Sequence, residues 1–143
     1  MVRYLNYDNG RLFVVDMGLH YIYCIEYKDG TWGGTVVGGH GKGMNQLNKP
    51  AGLVFDGHGN AMVVDSSNNR LQVLDTNLNF CGTVKVSVQT VFCNMFIYVH
   101  KCQVDRPLVR PSGIFFDKES SELYVSNFSD SSVVCYVLDK PEA

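Results

Sequence analysis

The sequence predicts an all-β fold: a partial β-propeller of about three four-stranded antiparallel blades, the last lacking its outer strand. Three observations carry that prediction. First, a motif is written twice, as PAGLVFDGHGNAMVVDSSNNRLQVLD over residues 50–75 and PSGIFFDKESSELYVSNFSDSSVVCYVLD over 111–139. Each copy runs Pro, a small residue, Gly, an apolar triplet, Asp, a polar turn, an apolar run closed by Asp or Asn, a polar loop and a second apolar run. The stretch 5–27, LNYDNGRLFVVDMGLHYIYCIEY, joins the same frame from its middle onward. Second, short apolar runs rich in Val, Ile, Tyr, Phe and Leu are punctuated by Gly, Asn and Asp, which is strand-and-turn chemistry. Third, Asp16 and Asp65 lie about 49 residues apart, close to the period of one blade. A unit of this length cannot bury its own face and must stack on a neighbour. A helical fold is excluded, because no stretch sustains apolar spacings of three and four residues and glycine is frequent.

The elements follow in order. The first unit places strands near 2–7, 11–16, 21–27 and 32–37. The second places them near 51–55, 61–65, 70–75 and 80–86, and the third near 112–116, 122–126 and 132–138. Pro50 and Pro111 open their repeats, where a strand's first residue tolerates a missing N–H. Asp56-Gly57-His58-Gly59-Asn60 turns between the first two strands of the second unit, its glycines supplying positive φ. Ser66–Asn69 and Asn77–Asn79 make the next two connections. The organisation is a blade over 1–40, a blade over 50–86, an atypical insert over 87–106 and a blade over 110–139.

The insert breaks the period, since Pro50 and Pro111 stand about 61 residues apart. Removing Val88–Gln103 joins FCGTVKVS to VDRPLVRPSG and restores a spacing of about 45. The removed piece begins with Val and ends with Gln, as a translated intron opening on GT and closing on CAG would. Two explanations stand: a retained intron or gene-model error, and a genuine inserted strand or loop. Exposed, its apolar run is an aggregation hazard.

The 143 residues suffice for one domain; 45% are hydrophobic and 18% charged, a globular balance. A net charge of −2 argues against a surface wholly built for nucleic acid and leaves room for a local basic face. Cys24, Cys81, Cys93, Cys102 and Cys135 are odd in number and lack CxxC spacing, so free thiols in a reducing, cytoplasmic setting are expected. The N-terminus lacks a signal-peptide apolar core, and no run approaches a membrane-spanning helix.

The motif KPAGLVFDGHGNAMVVDSSNNRLQVLD resembles an NHL repeat. Pro50, Gly52, Asp56, Gly59, Asn60, Val63, Asp65, Asn68, Arg70, Leu71 and Val73 carry the match. The third unit keeps Pro111, Gly113, Asp117, Val125 and Val133, with Asn127 in the Asp place and Ser132 in the Arg place. The first keeps Asp16, with Tyr21 where the Arg stood. YVSNFSDSSVVCYVL is similar to the closing blade of the NHL domain in tripartite-motif proteins. That resemblance implies a propeller behind a RING, B-box and coiled coil, binding RNA or protein partners. None of those N-terminal modules is in this sequence.

Asp16, Pro50, Gly52, Asp56, Gly59, Asp65, Arg70, Pro111, Gly113, Asp117 and Asn127 are expected to be structural repeat positions. Asp65 and Arg70 bracket one loop, which suits a structural ion pair; the rival expectation offers Arg70 to a ligand. In a propeller, loops between second and third strands share a face with loops that lead to the next blade. That gathers His20, Tyr21, His40, Lys42, Asn45, Gln46, Lys49, Asn68, Asn69, Arg70, Arg106 and Arg110 on one surface, with Asp29, Asp56, Asp117, Glu119 and Glu122 near the opposite turns. Cations with aromatic and amide neighbours suit single-stranded RNA. The expected function is therefore a non-catalytic scaffold recognising RNA in a post-transcriptional regulator. The alternative is a protein-interaction module recruiting substrates to a RING-type ubiquitin ligase. No enzyme site, metal, cofactor, small-molecule substrate or membrane partner is expected: no nucleophile elbow occurs, GGHGKG lacks the Ser/Thr of a phosphate loop, and Cys93, His100 and Cys102 make at best a partial metal site. An open ring leaves two blade faces wet. A few hundred Å2 each at ~25 cal/mol/Å2 forfeits roughly 10 kcal/mol per face, more than typical net stability. Missing blades from a longer chain, or self-association, are expected to cover them.

Overall fold

The computed structural model describes residues 1–84, 90–92, 95–98 and 107–139. Its first sheet is β1 (Val2–Asp8), β2 (Arg11–Asp16), β3 (Tyr21–Lys28) and β4 (Thr31–Gly38). The second is β5 (Pro50–Phe55), β6 (Ala61–Asp65), β7 (Arg70–Leu74) and β8 (Phe80–Val84), with one 3-10 turn at Ser66–Asn68. After β9 (Thr90–Phe92) and β10 (Met95–Tyr98) come β11 (Pro111–Asp117), β12 (Glu122–Asn127) and β13 (Ser132–Asp139). Within each repeat, consecutive strands pair antiparallel, and every strand expected from the sequence forms within about two residues of its expected ends. The C-terminal repeat itself contributes three strands. The place beyond β13 is taken by β10, paired antiparallel through Ile97 opposite Leu138, with β9 outside it. Both come from the insert; the rest of that segment, with Cys93, His100, Cys102 and Arg106, lies outside the described residues.

Period-2 alternation explains how the central blade serves two cores. From β5 and β6, Leu53, Phe55, Ala61 and Val63 point into a core shared with Phe13, Val15, Ile22 and Cys24 of the first blade. Val54, Met62 and Val64, with Leu71 and Val73 of β7, point the other way, against Leu123, Val125, Val134, Tyr136 and Leu138 of the third. That two-sided burial is why the second repeat reads as near-continuous apolar runs. Phe13 and Phe55 meet edge to face at 4.8 Å between centroids. Each inner strand carries the same register shift after its first residue, at Val2/Tyr4, Pro50/Gly52 and Pro111/Gly113. At Gly113 the irregularity brings the backbone close: its N–H donates to Ser126 Oγ at 2.9 Å, and a Cβ there would lie 2.7 Å from that oxygen.

The outer faces of the end blades stay open. Leu5, Tyr7 and Val36 of the first blade are exposed, as are Phe115 and Val133 of the third. Trp32, 74% exposed, leans on Tyr27 at 4.9 Å. Two expectations need correction. Cys81 is disulfide-bonded, where a free thiol was expected, while Cys24 is a free, buried thiol. In the Asp56–Asn60 turn only Gly59 adopts positive φ, at +84°; the turn is closed instead by Asp56, which accepts from the backbone N–H groups of His58 and Asn60 and from the Asn60 amide. Asp75 repeats the device with Asn77 and Asn79.

Candidate functional site

Each blade closes its loop-bearing end in the same way. The residue ending the second strand, Asp16, Asp65 or Asn127, reaches back to the backbone just ahead of the inner strand. Asp16 Oδ1 accepts from the Met1 amino group at 2.7 Å, Asp65 Oδ1 from Asn48 N–H at 2.6 Å, and Asn127 Oδ1 from Val109 N–H at 3.0 Å. The Met1 ammonium is the main reason the Asp16 carboxyl sits below its ordinary range, followed by the Leu19 N–H. Ahead of the third strand each blade turns through a left-handed residue: His20 (φ +63°), Asn69 (+54°) and Ser131 (+55°). Ahead of the inner strand Lys49 (+52°) and Arg110 (+46°) do the same. These repeated backbone devices place the two sets of loops on one face.

Arg70 belongs to the scaffold of that face. Its side chain is 6% exposed; Nε donates to Asp65 Oδ2 at 2.7 Å. Nη1 donates to Lys42 O at 2.9 Å, and Nη2 to Gly43 O at 2.9 Å and Gln46 O at 3.0 Å. The guanidinium thus pegs the loop joining the first two blades, whose other anchor is Leu47, fully buried in the core. Asn68 adds a bond to Gly41 O at 2.8 Å. The expectation that Arg70 is offered to a partner fails, because its donors are spent and its charge is covered.

The other predicted residues are brought together. His20 packs on His40 at 4.5 Å between ring centroids, and His20 Nδ1 accepts from Lys49 N–H at 2.9 Å. Burial, then His40 and Lys49 nearby, hold His20 below its ordinary pKa of 6.5, so the neutral ring is favoured. Asn69 Oδ1 accepts from Arg110 N–H at 2.7 Å, tying the second blade to the third. His40, Lys42, Asn45, Lys49, Asn69 and Arg110 are all exposed. Tyr21 opens β3 on the open face of the first blade, 6.3 Å from Tyr23. Asp29, Asp56, Asp75 and Glu119 occupy hairpin turns at the opposite end, where Asp117 closes β11 and Glu122 opens β12.

A cavity of about 220 Å3 opens on the loop face where the three blades meet. Strand register shows how it is built. Arg3, Ala51 and Ser112 are equivalent residues of the three inner strands; Met17, Ser66 and Phe128 each follow the end of a second strand; Lys49 and Arg110 each precede an inner strand. Among the described residues three cations therefore line it, one per blade, and no carboxylate does. Among the described residues none of the three is in an ion pair. Arg110 lies over the Phe128 ring, 5.4 Å from its centroid. A smaller cavity of about 180 Å3 adjoins at Ser67, with Lys42, Asn68, Asn69 and Arg70. Sequence reasoning missed Arg3, Ser66, Ser112 and Phe128. Aligning the repeats by strand register, rather than by motif letters, would have found them.

No protein-family model and no curated protein matches the chain. Among solved structures, a luciferin-regenerating enzyme is similar, with a TM-score of 0.62 at 16% sequence identity. The match covers 98% of this chain and 45% of that one. The chain is part of a β-propeller. At that identity the likeness is one of fold. This chain spans less than half the length of the propeller enzyme it matches.

Proposed function

We propose that the chain is a non-catalytic binding scaffold of the NHL-repeat type whose loop face recognises single-stranded RNA. The observation that carries this is a bias of charge: Arg3, Lys42, Lys49 and Arg110 stand without ion-pair partners among the described residues on one face, while at the opposite end carboxylates outnumber Arg11, Lys28 and Lys118. Unpaired cations in water attract a polyanion and release its counterions, and exposed aromatic and amide groups beside them stack and hydrogen-bond bases. The NHL motif residues support the family assignment; Asp65, Arg70 and Asn68 spend themselves on holding the recognition loops. The test is charge removal. Lys42→Gln with Lys49→Asn should weaken binding to an oligoribonucleotide and flatten its dependence on salt. Unchanged affinity and slope would sink the proposal.

A second reading has its own observation. The exposed Leu5, Tyr7, Val36 and Trp32 of the first blade suit an apolar protein partner, whether further blades, a second copy or a substrate recruited to a RING-type ligase. Such a partner would be indifferent to the charge variants and sensitive to Leu5→Asp.

A further inference from the structure

We propose that the cavity lined by Arg3, Lys49 and Arg110 is a seat for one phosphate group. Three cationic residues, each delivered by a different blade, line a space of about 220 Å3, and among the described residues no carboxylate shares the wall. An anion that enters meets cations with no competing carboxylate beside them, and it relieves what repulsion water leaves unscreened between them. The hydroxyls of Ser66, Ser67 and Ser112 add donors to the wall. Two of the cations occupy left-handed backbone, Lys49 at φ +52° and Arg110 at +46°, where glycine or asparagine is the unstrained choice. The acids next to the wall residues Met17 and Ser66 are already engaged: Asp16 accepts from Met1, Gly18 and Leu19, and Asp65 from Asn48, Asn68 and Arg70. Asp130 accepts from Ser132, two residues beyond Phe128.

The volume decides what enters. Pockets for drug-sized ligands run from roughly 300 to 1,000 Å3. The cavity falls below that range and opens to solvent, which suits a phosphate group whose flanking atoms stay outside. Phe128, 67% exposed on the wall, sets an aromatic platform beside the seated phosphate. The seat therefore fixes position along a strand, while the outer loops read bases. The extension from a phosphate to a strand rests on the RNA proposal; the seat itself does not.

The probe is inorganic phosphate, titrated into the whole chain at constant ionic strength while the backbone amide resonances of Lys49, Ser67 and Phe128 are followed. Saturable shifts confined to the cavity are expected. In Lys49→Asn/Arg110→Asn, chosen because asparagine tolerates the left-handed backbone, affinity should fall about tenfold or more. Arg3→Gln, at the irregularity of β1 between Val2 and Tyr4, should give the same direction of loss without touching either left-handed turn. Absent shifts, or shifts equal in wild type and variants, overturn the seat. Oligoribonucleotides with 5′-phosphate and 5′-hydroxyl ends then separate the sources. Tighter binding of the phosphorylated strand assigns a terminal phosphate; equal binding that the variants weaken assigns an internal phosphodiester. Saturable phosphate binding with no oligonucleotide binding keeps the seat and removes the RNA proposal. Oligonucleotide binding untouched by the variants keeps the RNA proposal and removes the seat's role in it.

Discussion

Replacing Arg70 with alanine tests how the recognition face is held. The substitution removes an ion pair to Asp65, which is 0% exposed, and three bonds to the carbonyls of Lys42, Gly43 and Gln46. The carbonyls belong to exposed residues and regain water. Asp65 keeps its bonds from Asn48 and Asn68 but loses its counter-charge, so the dominant cost is a buried carboxylate without a cation, about 3–5 kcal/mol. Against a typical net stability of roughly 5–15 kcal/mol that is a large fraction. Urea unfolding gives the total. Hydrogen exchange locates it: the Gly41 and Leu47 amides, bonded to Leu47 O and Gly39 O, should lose protection first. Asp65→Asn should recover part of the loss in the Arg70→Ala background, since the two side chains couple directly. A loss under about 1 kcal/mol, with both amides still protected, would mean that the guanidinium behaves as a solvated surface charge. The structural role assigned to it would then be wrong.

Other consequences follow from single positions. Gly38 has φ +109°, and a Cβ there would lie 2.8 Å from His20 O and 2.9 Å from Leu47 Cδ1. Gly38→Ala should cost at least about 1–3 kcal/mol in urea unfolding; a neutral outcome would contradict the packing of Leu47 under the loop. The Tyr136 hydroxyl is buried with no hydrogen-bond partner among the described residues. Tyr136→Phe should stabilise by about 1 kcal/mol, and a loss of stability would reveal a partner for that oxygen. His20 titrates below 6.5 in the fold, so the unfolded chain takes its proton first. Its contribution is full above about pH 6.5 and is lost as pH falls below that, together with the Lys49 N–H bond to Nδ1. An NMR titration of His20 with a midpoint at or above 6.5 would refute this.

The strands were legible because the cores they serve are local in pattern. Alternation in LVF and AMVV encodes two buried faces, and Asp56, Gly59, Asp117 and Pro111 mark where strands stop and start. The Asp65–Arg70 pair was legible as a structural possibility from its spacing, five residues across one hairpin loop. Its remaining partners were not, because Lys42, Gly43 and Gln46 meet Arg70 only when the inter-blade loop folds back over it. The cavity was half legible. Lys49 and Arg110 precede prolines that mark the repeat, whereas Arg3 and Phe128 sit at positions the motif leaves free, and only strand register aligns them. The pairing of β10 with β13 was invisible, since Met95–Tyr98 departs from the repeat and its partner depends on which edge is open.

The most direct test of the central claim, that the loop face binds a polyanion through unpaired cations, is the affinity of the chain for a single-stranded oligoribonucleotide across a series of salt concentrations. One phosphate in the seat and a second on Lys42, at ~0.7 released counterions each, predict a slope of about −1.4 in log K against log salt. Binding that is flat across the series, or absent at low salt, would contradict the account.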